Sequence, residues 1–150
     1  MKRPKHLAII LDGNRRFAKK LLQSPEKGHE FGYKKVKELI NWCVEFKIKE
    51  LTLYAFSLEN FNRSKLEFNY LMNLFTKAFR ELKEEKGTEK LKIKFIGKKE
   101  LFNQDLQKAM IALEEKTKNN KILKLNFAMA YTGREEIINT TKKIAEAVKY

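Results

Sequence analysis

The sequence predicts an α/β fold: a parallel sheet flanked by helices, in the order β-α-β-α-β-α-β-α. Three observations predict it. Four runs of β-forming residues alternate with segments whose apolar residues recur at helical spacing. Three of those runs end in polar loops, the place where an open parallel sheet takes its ligands. With 150 residues and 43% hydrophobic content, the chain is large enough for a single domain with a real core.

The first strand is read in His6-Leu7-Ala8-Ile9-Ile10-Leu11, a run without a formal charge and rich in Ile and Leu. It stops at Asp12-Gly13-Asn14, a sequence that turns chains, and Arg15 and Arg16 follow at once. Residues 17–22 are read as a short helix and residues 23–28 as the most flexible stretch. Val36, Leu39, Ile40, Cys43 and Val44 then mark a helix over about residues 29–46. Residues 51–56 form the second strand. After the polar loop Ser57–Arg63, Ser64-Lys65-Leu66-Glu67 is a capping box that opens a long helix. Leu71, Leu74, Phe75, Ala78 and Leu82 form its inner stripe, Phe68 and Phe79 widen it, and Gly87 suits its stop. Residues 91–96 make the third strand, with Lys92 and Lys94 on a more exposed side. Asn103 caps a helix carrying Leu106, Ala109, Met110 and Leu113. The fourth strand lies within residues 122–131. Thr132-Gly133-Arg134-Glu135 opens a last helix, with Ile137, Ile138, Ile144, Ala145 and Val148 expected to point inward.

In a parallel sheet the loops Asp12–Arg16, Ser57–Arg63 and Ala130–Arg134 emerge on one edge and converge. The first offers a carboxylate, an amide and two guanidinium groups, a set that suits a metal-bound polyphosphate. Asp12 would hold Mg²⁺, while loop N–H groups with Arg15 and Arg16 hold phosphate oxygens. Taken alone, Asp-Gly-Asn is also an ordinary strand-to-helix turn with a capping side chain. Together the three loops supply two carboxylates, three amides and four arginines beside Phe-rich helices. A cationic mouth over an apolar interior fits a diphosphate on a hydrocarbon tail.

The bulk composition agrees with an anionic partner, since Lys+Arg of 33 against Asp+Glu of 19 gives a formal charge of +14. Nucleic acid, anionic lipid and phosphorylated small molecules all meet that charge. A nucleic-acid module ranks last, because no binding motif is present and the aromatics fall mainly on inward faces. The single cysteine, Cys43, excludes an internal disulfide, fits a reducing cytoplasm and lies on an apolar stripe. No segment approaches the roughly 18 apolar residues of a membrane span. The basic start Met1-Lys2-Arg3-Pro4-Lys5 is not read as a signal peptide, since Asp12 cuts short the apolar run behind it.

The blocks His-Leu-Ala-Ile-Ile-Leu-Asp-Gly-Asn-Arg-Arg-Phe-Ala-Lys-Lys, Gly28-His29-Glu30-Phe31-Gly32 and Leu-Thr-Leu-Tyr-Ala-Phe-Ser-Leu-Glu-Asn-Phe-Asn-Arg resemble the cis-prenyltransferases, the undecaprenyl and dehydrodolichyl diphosphate synthases. Ala130-Tyr131-Thr132-Gly133-Arg134-Glu135-Glu136-Ile137 resembles a further family block. The resemblance implies transfer of isopentenyl units onto an allylic diphosphate, with Mg²⁺ as cofactor. Asp12 would engage the metal and assist departure of the diphosphate, and Gly13, Asn14, Arg15 and Arg16 would cradle it. Phe17 and Phe61 stand where the family often has Trp. His29, Ser57, Leu58, Glu59 and Arg63 would line the substrate sites, and Asn60 matches the residue that takes the proton. A homodimer or a complementing chain, a cytoplasmic location and a transient membrane surface for product are also implied. Three departures stand out. Pro25 replaces a diphosphate-binding Arg, and Ala130 replaces a common Asn. The sequence also stops at Tyr150, before the family's Arg-x-Gly-Gly-Glu-x-Arg-x-Ser segment, which binds isopentenyl diphosphate. The chain is therefore expected to be a domain truncated at its carboxyl end, with a catalytically incomplete allylic-diphosphate-binding module as the alternative to a working enzyme.

Overall fold

The computed structural model describes residues 3–148; the Met1–Lys2 part of the basic start and the chain end at Tyr150 lie outside the described residues. Four strands, β1 (His6–Ile10), β2 (Glu50–Ser57), β3 (Leu91–Ile96) and β4 (Leu123–Tyr131), form one sheet in the order β1-β2-β4-β3. Every neighbouring pair is parallel. The helices are α1 (Asn14–Lys20), α2 (Pro25–Glu45), α3 (Lys65–Glu84), α4 (Gln104–Thr117) and α5 (Gly133–Ala147). Their alternation with the strands is the order read from the sequence. Asp12, Ser57 and Tyr131 accordingly lie at or just past carboxyl ends on one edge.

Strand alternation decides which sheet face is covered. Leu51, Leu53, Leu123 and Leu125 are fully buried and join one cluster with Ile40 and Cys43 of α2, Leu71 and Phe79 of α3, and Leu106, Met110 and Leu113 of α4. The alternate positions carry a polar ladder across β1, β2 and β4. Asn126 Nδ2 donates to Glu50 at 2.7 Å and to Thr52 Oγ1 at 3.0 Å, and His6 Nε2 lies 2.8 Å from the same hydroxyl. Phenylalanines fill the space between the sheet and α3. Phe56 meets Phe61, Phe68, Phe75 and Phe102 edgewise, with ring centroids 5.2, 6.2, 6.1 and 5.8 Å away.

Three N-terminal caps form, but neither Ser64 nor Thr132 completes the capping box read from the sequence, because the Glu67 carboxylate turns to His29 and Arg63 and that of Glu135 to Lys98. Ser64 Oγ accepts the Glu67 N–H at 3.3 Å, Asn103 Oδ1 the Leu106 N–H at 2.9 Å, and Thr132 Oγ1 the Glu135 N–H at 3.3 Å. Other boundaries differ from the reading. α1 begins at Asn14 rather than at residue 17. α2 begins at Pro25, inside the stretch read as flexible, because a proline preset for helical φ suits the first helical position. The largest correction concerns α5. Its Ile137, Ile138, Ile144, Ala145 and Val148 do not point inward; Ile137 is 69% and Val148 77% exposed. Its first turn is tied down by the Thr132 cap and by Lys98 Nζ–Glu135 at 2.6 Å. Beyond that turn no apolar surface among the described residues comes up to meet the stripe. No helix is long and apolar enough to cross a membrane among the described residues.

Candidate active site

The loop after β1 is built around Gly13, whose φ of +91° turns the chain into α1 in a conformation that disfavours any residue with a Cβ. Asp12 Oδ1 accepts the Gly13 N–H at 2.5 Å, and Oδ2 pairs with Arg16 at 2.7 Å. At seven residues, α1 is too short to persist by itself and depends on docking. Two glycines of α2 make the dock. A Cβ at Gly28 would sit 2.2 Å from the Asn14 carbonyl oxygen, and one at Gly32 would sit 2.7 Å from the Asn14 side-chain amide. Asn14 is thus seated in a glycine slot, and Arg15 and Arg16, next along the first turn, are placed by it.

A second element comes from α3. Glu67 is buried, and its Oε1 accepts from His29 Nε2 at 3.2 Å and from Arg63 NH1, with Arg15 Nε at 3.8 Å. Burial alone would raise the Glu67 carboxyl, but the His29 and Arg63 hydrogen bonds and the neighbouring guanidinium charges hold it below the usual carboxylate value. Burial pushes the His29 imidazole below its ordinary value, and Glu67 only partly opposes that. His29 is therefore neutral at neutral pH and donates to a carboxylate. Among the described residues the Arg63 Nε finds no hydrogen-bond partner although it is buried. Glu67 is the residue that sequence reasoning missed, since Ser-x-x-Glu was read only as a cap. Its signal was the i,i+4 spacing from Arg63.

These groups stand at the mouth of a cavity of about 1080 Å³ between the sheet, α2 and α3. Asp12, Gly13, Asn14, Arg15, Arg16, His29, Asn60 and Arg63 line it at the strand-end edge. Leu39, Leu74, Phe75, Phe79, Leu82 and Phe127 line it deeper in. Eight of the expected site residues are therefore brought to one cavity. Asn60 sits in a 3₁₀ turn (Leu58–Asn62), with its Oδ1 accepting the Ser57 N–H at 3.1 Å.

Five expected residues do not line the cavity. Phe17 is exposed on α1, edge-to-face with Phe31 at 5.8 Å. Phe61 is taken up by the phenylalanine cluster, 5.4 Å from Phe68 and 5.7 Å from Phe102, so it builds the wall behind the site. Leu58 packs against the core. Ser57 and the exposed Glu59 stand at the end of β2 outside the cavity. Bonds from its own backbone N–H and then from the Ser57 hydroxyl hold the Glu59 carboxyl below its ordinary value. Ala130, noted for replacing a common Asn, holds φ +50° at the end of β4, a left-handed conformation that Asn tolerates better than Ala.

The donor set at the mouth suits a metal shared with a ligand. No group of three or more His, Cys, Asp or Glu side chains converges for a metal among the described residues. Mg²⁺ is commonly held by one or two carboxylates together with substrate phosphates and water, and the single Asp12 carboxylate beside Arg15 and Arg16 fits that arrangement.

The parallel sheet flanked by helices is the fold of cis-prenyltransferases of known structure, and comparison with known sequences agrees. The family model described as "Putative undecaprenyl diphosphate synthase" matches residues 10–150, and the chain belongs to that family. It is 44% identical over 147 residues to a geranylgeranyl-diphosphate-specific tritrans,polycis-undecaprenyl-diphosphate synthase of Thermococcus kodakarensis, covering 97% of this chain and 56% of that one. It is 42% identical over 143 residues to an isoprenyl transferase of Thermus thermophilus, covering 94% and 54%. The chain thus spans about half the length of the curated relatives it matches. Among solved structures, lavandulyl diphosphate synthase from Lavandula x intermedia in complex with dimethylallyl diphosphate matches with a TM-score of 0.90 at 35% identity, over 97% of this chain and 63% of that one. A probable undecaprenyl diphosphate synthase from Campylobacter jejuni matches with 0.79 at 31% identity, over 98% and 64%.

Proposed function

We propose that the chain carries the allylic half of cis-prenyl transfer: it binds an allylic prenyl diphosphate and presents it for attack by isopentenyl diphosphate. The cavity carries this reading, because one continuous space joins three arginines at its mouth to a phenylalanine- and leucine-lined interior. In the reaction the allylic C–O bond breaks and diphosphate leaves with the electron pair. The isopentenyl double bond supplies the electrons of the new C–C bond, and a proton leaves to form the cis double bond.

The residues divide this work by chemistry. Arg16 and Asp12 are both mostly exposed, so their pair is weak and readily exchanged. An arriving diphosphate draws Arg16 from Asp12 and so frees that carboxylate. Asp12 would then hold Mg²⁺, whose charge stabilises the leaving diphosphate. Arg15 and Arg63 share the single charge of Glu67, which leaves net positive charge for phosphate oxygens. The neutral His29 stays fixed by Glu67 at the mouth. Asn60, with its oxygen committed to the Ser57 N–H, is left to meet substrate through its amide NH₂ as a hydrogen-bond donor and not as the base, and the released proton passes to the departing diphosphate.

The donor's own cradle is assigned to the Arg-x-Gly-Gly-Glu-x-Arg-x-Ser segment of the family, which these 150 residues do not contain. Holding the donor in attack geometry is worth roughly 7–11 kcal/mol of barrier, so the chain alone is expected to turn over poorly. The uncovered α5 stripe favours association with a second copy or a complementing chain. The test is incorporation of radiolabelled isopentenyl diphosphate with farnesyl diphosphate and Mg²⁺, by this chain alone and by the chain joined to the carboxyl-terminal remainder of the Thermococcus relative. Products are expected from the joined chain and not after Asp12→Ala. Robust products from the 150 residues alone would place the donor site within them. A joined chain that binds farnesyl diphosphate and makes nothing would reduce the reading to a binding module.

A further inference from the structure

The hydrogen bonds and ion pairs that cross from α2 to α3 fall into two groups among the described residues. One stands at the cavity mouth, where His29 meets Glu67 and Tyr70 Oη lies 3.3 Å from the Glu26 carbonyl oxygen and 3.2 Å from Glu30. The other lies farther along both helices. Tyr33 Oη donates to Glu81 at 2.9 Å, and Lys37 Nζ pairs at 2.9 Å with Glu85, just past the end of α3. Tyr70 and Glu81 are about 16 Å apart along α3, and the stretch between them turns Leu71, Leu74, Phe75 and Ala78 to the cavity. Tyr33 and Lys37 are one turn apart on α2, as Glu81 and Glu85 are at the end of α3, so the two pairs meet in register. Lys37 Nζ also stands 5.1 Å from the centre of the Tyr33 ring, which joins the pairs into one unit. Tyr33 and Lys37 line the cavity, while the carboxylates they reach are partly exposed to solvent.

We propose that these four residues form a clasp that closes the slot between α2 and α3 over a bound hydrocarbon, and that Tyr33 thereby sets the preference among prenyl tails by length. The inference rests on reading the cavity as the site of an allylic prenyl diphosphate. A phenol ring offers its apolar body to a tail and its hydroxyl to a polar partner, so the wall is dry inside while its bonds form outside. Partly exposed pairs of this kind are weak, so the clasp yields to an entering tail. A tail too short to reach the ring leaves water beneath it and forgoes the gain of burying that stretch. Asp12, Arg15, Arg16 and Arg63 stand at the mouth, so the diphosphate and the tail are read by separate groups.

Calorimetry with geranyl, farnesyl and geranylgeranyl diphosphates, referred to inorganic diphosphate, separates the tail from the headgroup. Geranylgeranyl diphosphate is expected to bind the wild-type chain about a hundredfold more tightly than geranyl diphosphate. Tyr33→Ala should cut that ratio about tenfold and leave the binding of inorganic diphosphate as it was. Lys37→Glu sets two carboxylates against each other and should also cut the ratio, and adding Glu85→Lys should restore it. A ratio that holds in Tyr33→Ala, or a swapped pair that does not restore it, would overturn the clasp. Equal losses for every ligand, inorganic diphosphate included, would overturn it too, because the four residues would then serve the fold alone. A wild-type chain indifferent to tail length would defeat the prenyl-site reading and the clasp with it. A steep wild-type series with unmoved variants would defeat the clasp and leave that reading standing.

Discussion

Glu67 shows at the scale of one residue how the site is held. It is a buried carboxylate whose neighbours are the cations proposed to hold a diphosphate, and it fixes both Arg63 and the neutral His29. Because His29 lies below its ordinary value of 6.5 when folded, the unfolded chain holds the extra proton between the two values. Stability therefore rises with pH through that window and is fully present above 6.5. Glu67, below its ordinary 4.5 when folded, adds stability that is present above 4.5 and lost as the pH falls further. Urea midpoints taken from above 6.5 downward should fall in that order, and His29→Gln should flatten the first part of the decline. A profile identical in wild type and variant would remove His29 from the account. Asp12, Arg15, Arg16 and Arg63 were legible because charged residues cluster after strands. Glu67 was not, because Ser-x-x-Glu reads as a local capping box, whereas its carboxylate is taken by His29 and Arg63.

Among the elements, α1 tests the account best, since its seven residues depend on the slot at Gly28 and Gly32. Gly28→Ala puts a methyl group against a backbone oxygen that cannot move without α1. The variant should lose about 1–3 kcal/mol in urea unfolding and bind farnesyl diphosphate more weakly, because Arg15 and Arg16 shift with Asn14. An unchanged affinity would show that α1 does not set the arginines. The strands were readable because each buried run carries its own period and stop. The start of α2 was not, since Gln23-Ser24-Pro25 carries both turn residues and a good first helical turn, and only docking against α1 decides between them. Phe61 shows the same limit from the other side: a loop aromatic was expected at the substrate, and packing against Phe56, Phe68 and Phe102 took it instead.

At the scale of the whole molecule, the sheet has a covered face and, among the described residues, the last helix has none. At concentrations where the chain is monomeric, Ile144→Ser on α5 should change unfolding free energy by no more than about 0.5 kcal/mol, whereas Leu53→Ala in the sheet core should cost about 2–5 kcal/mol. A large loss in Ile144→Ser would mean that the stripe is covered in solution. The parallel α/β order and the placement of three loops at one edge were legible from alternation alone, but the Ala130–Arg134 loop expected to converge on the ligand does not line the cavity. The exposure of Ile137 and Ile144 was not, because helical periodicity marks an apolar stripe and does not say whether anything arrives to cover it.

On the proposed function, one cavity holds both the diphosphate and the hydrocarbon of a prenyl diphosphate. Calorimetry with farnesyl diphosphate, inorganic diphosphate and Mg²⁺ tests it most directly. Farnesyl diphosphate should bind one to one and at least about a hundredfold more tightly than inorganic diphosphate, because its tail leaves water for the apolar interior. Arg16→Ala should cost about 1.5–3 kcal/mol of that binding. Equal affinity for the two ligands, or an Arg16→Ala variant that binds as wild type does, would contradict the account.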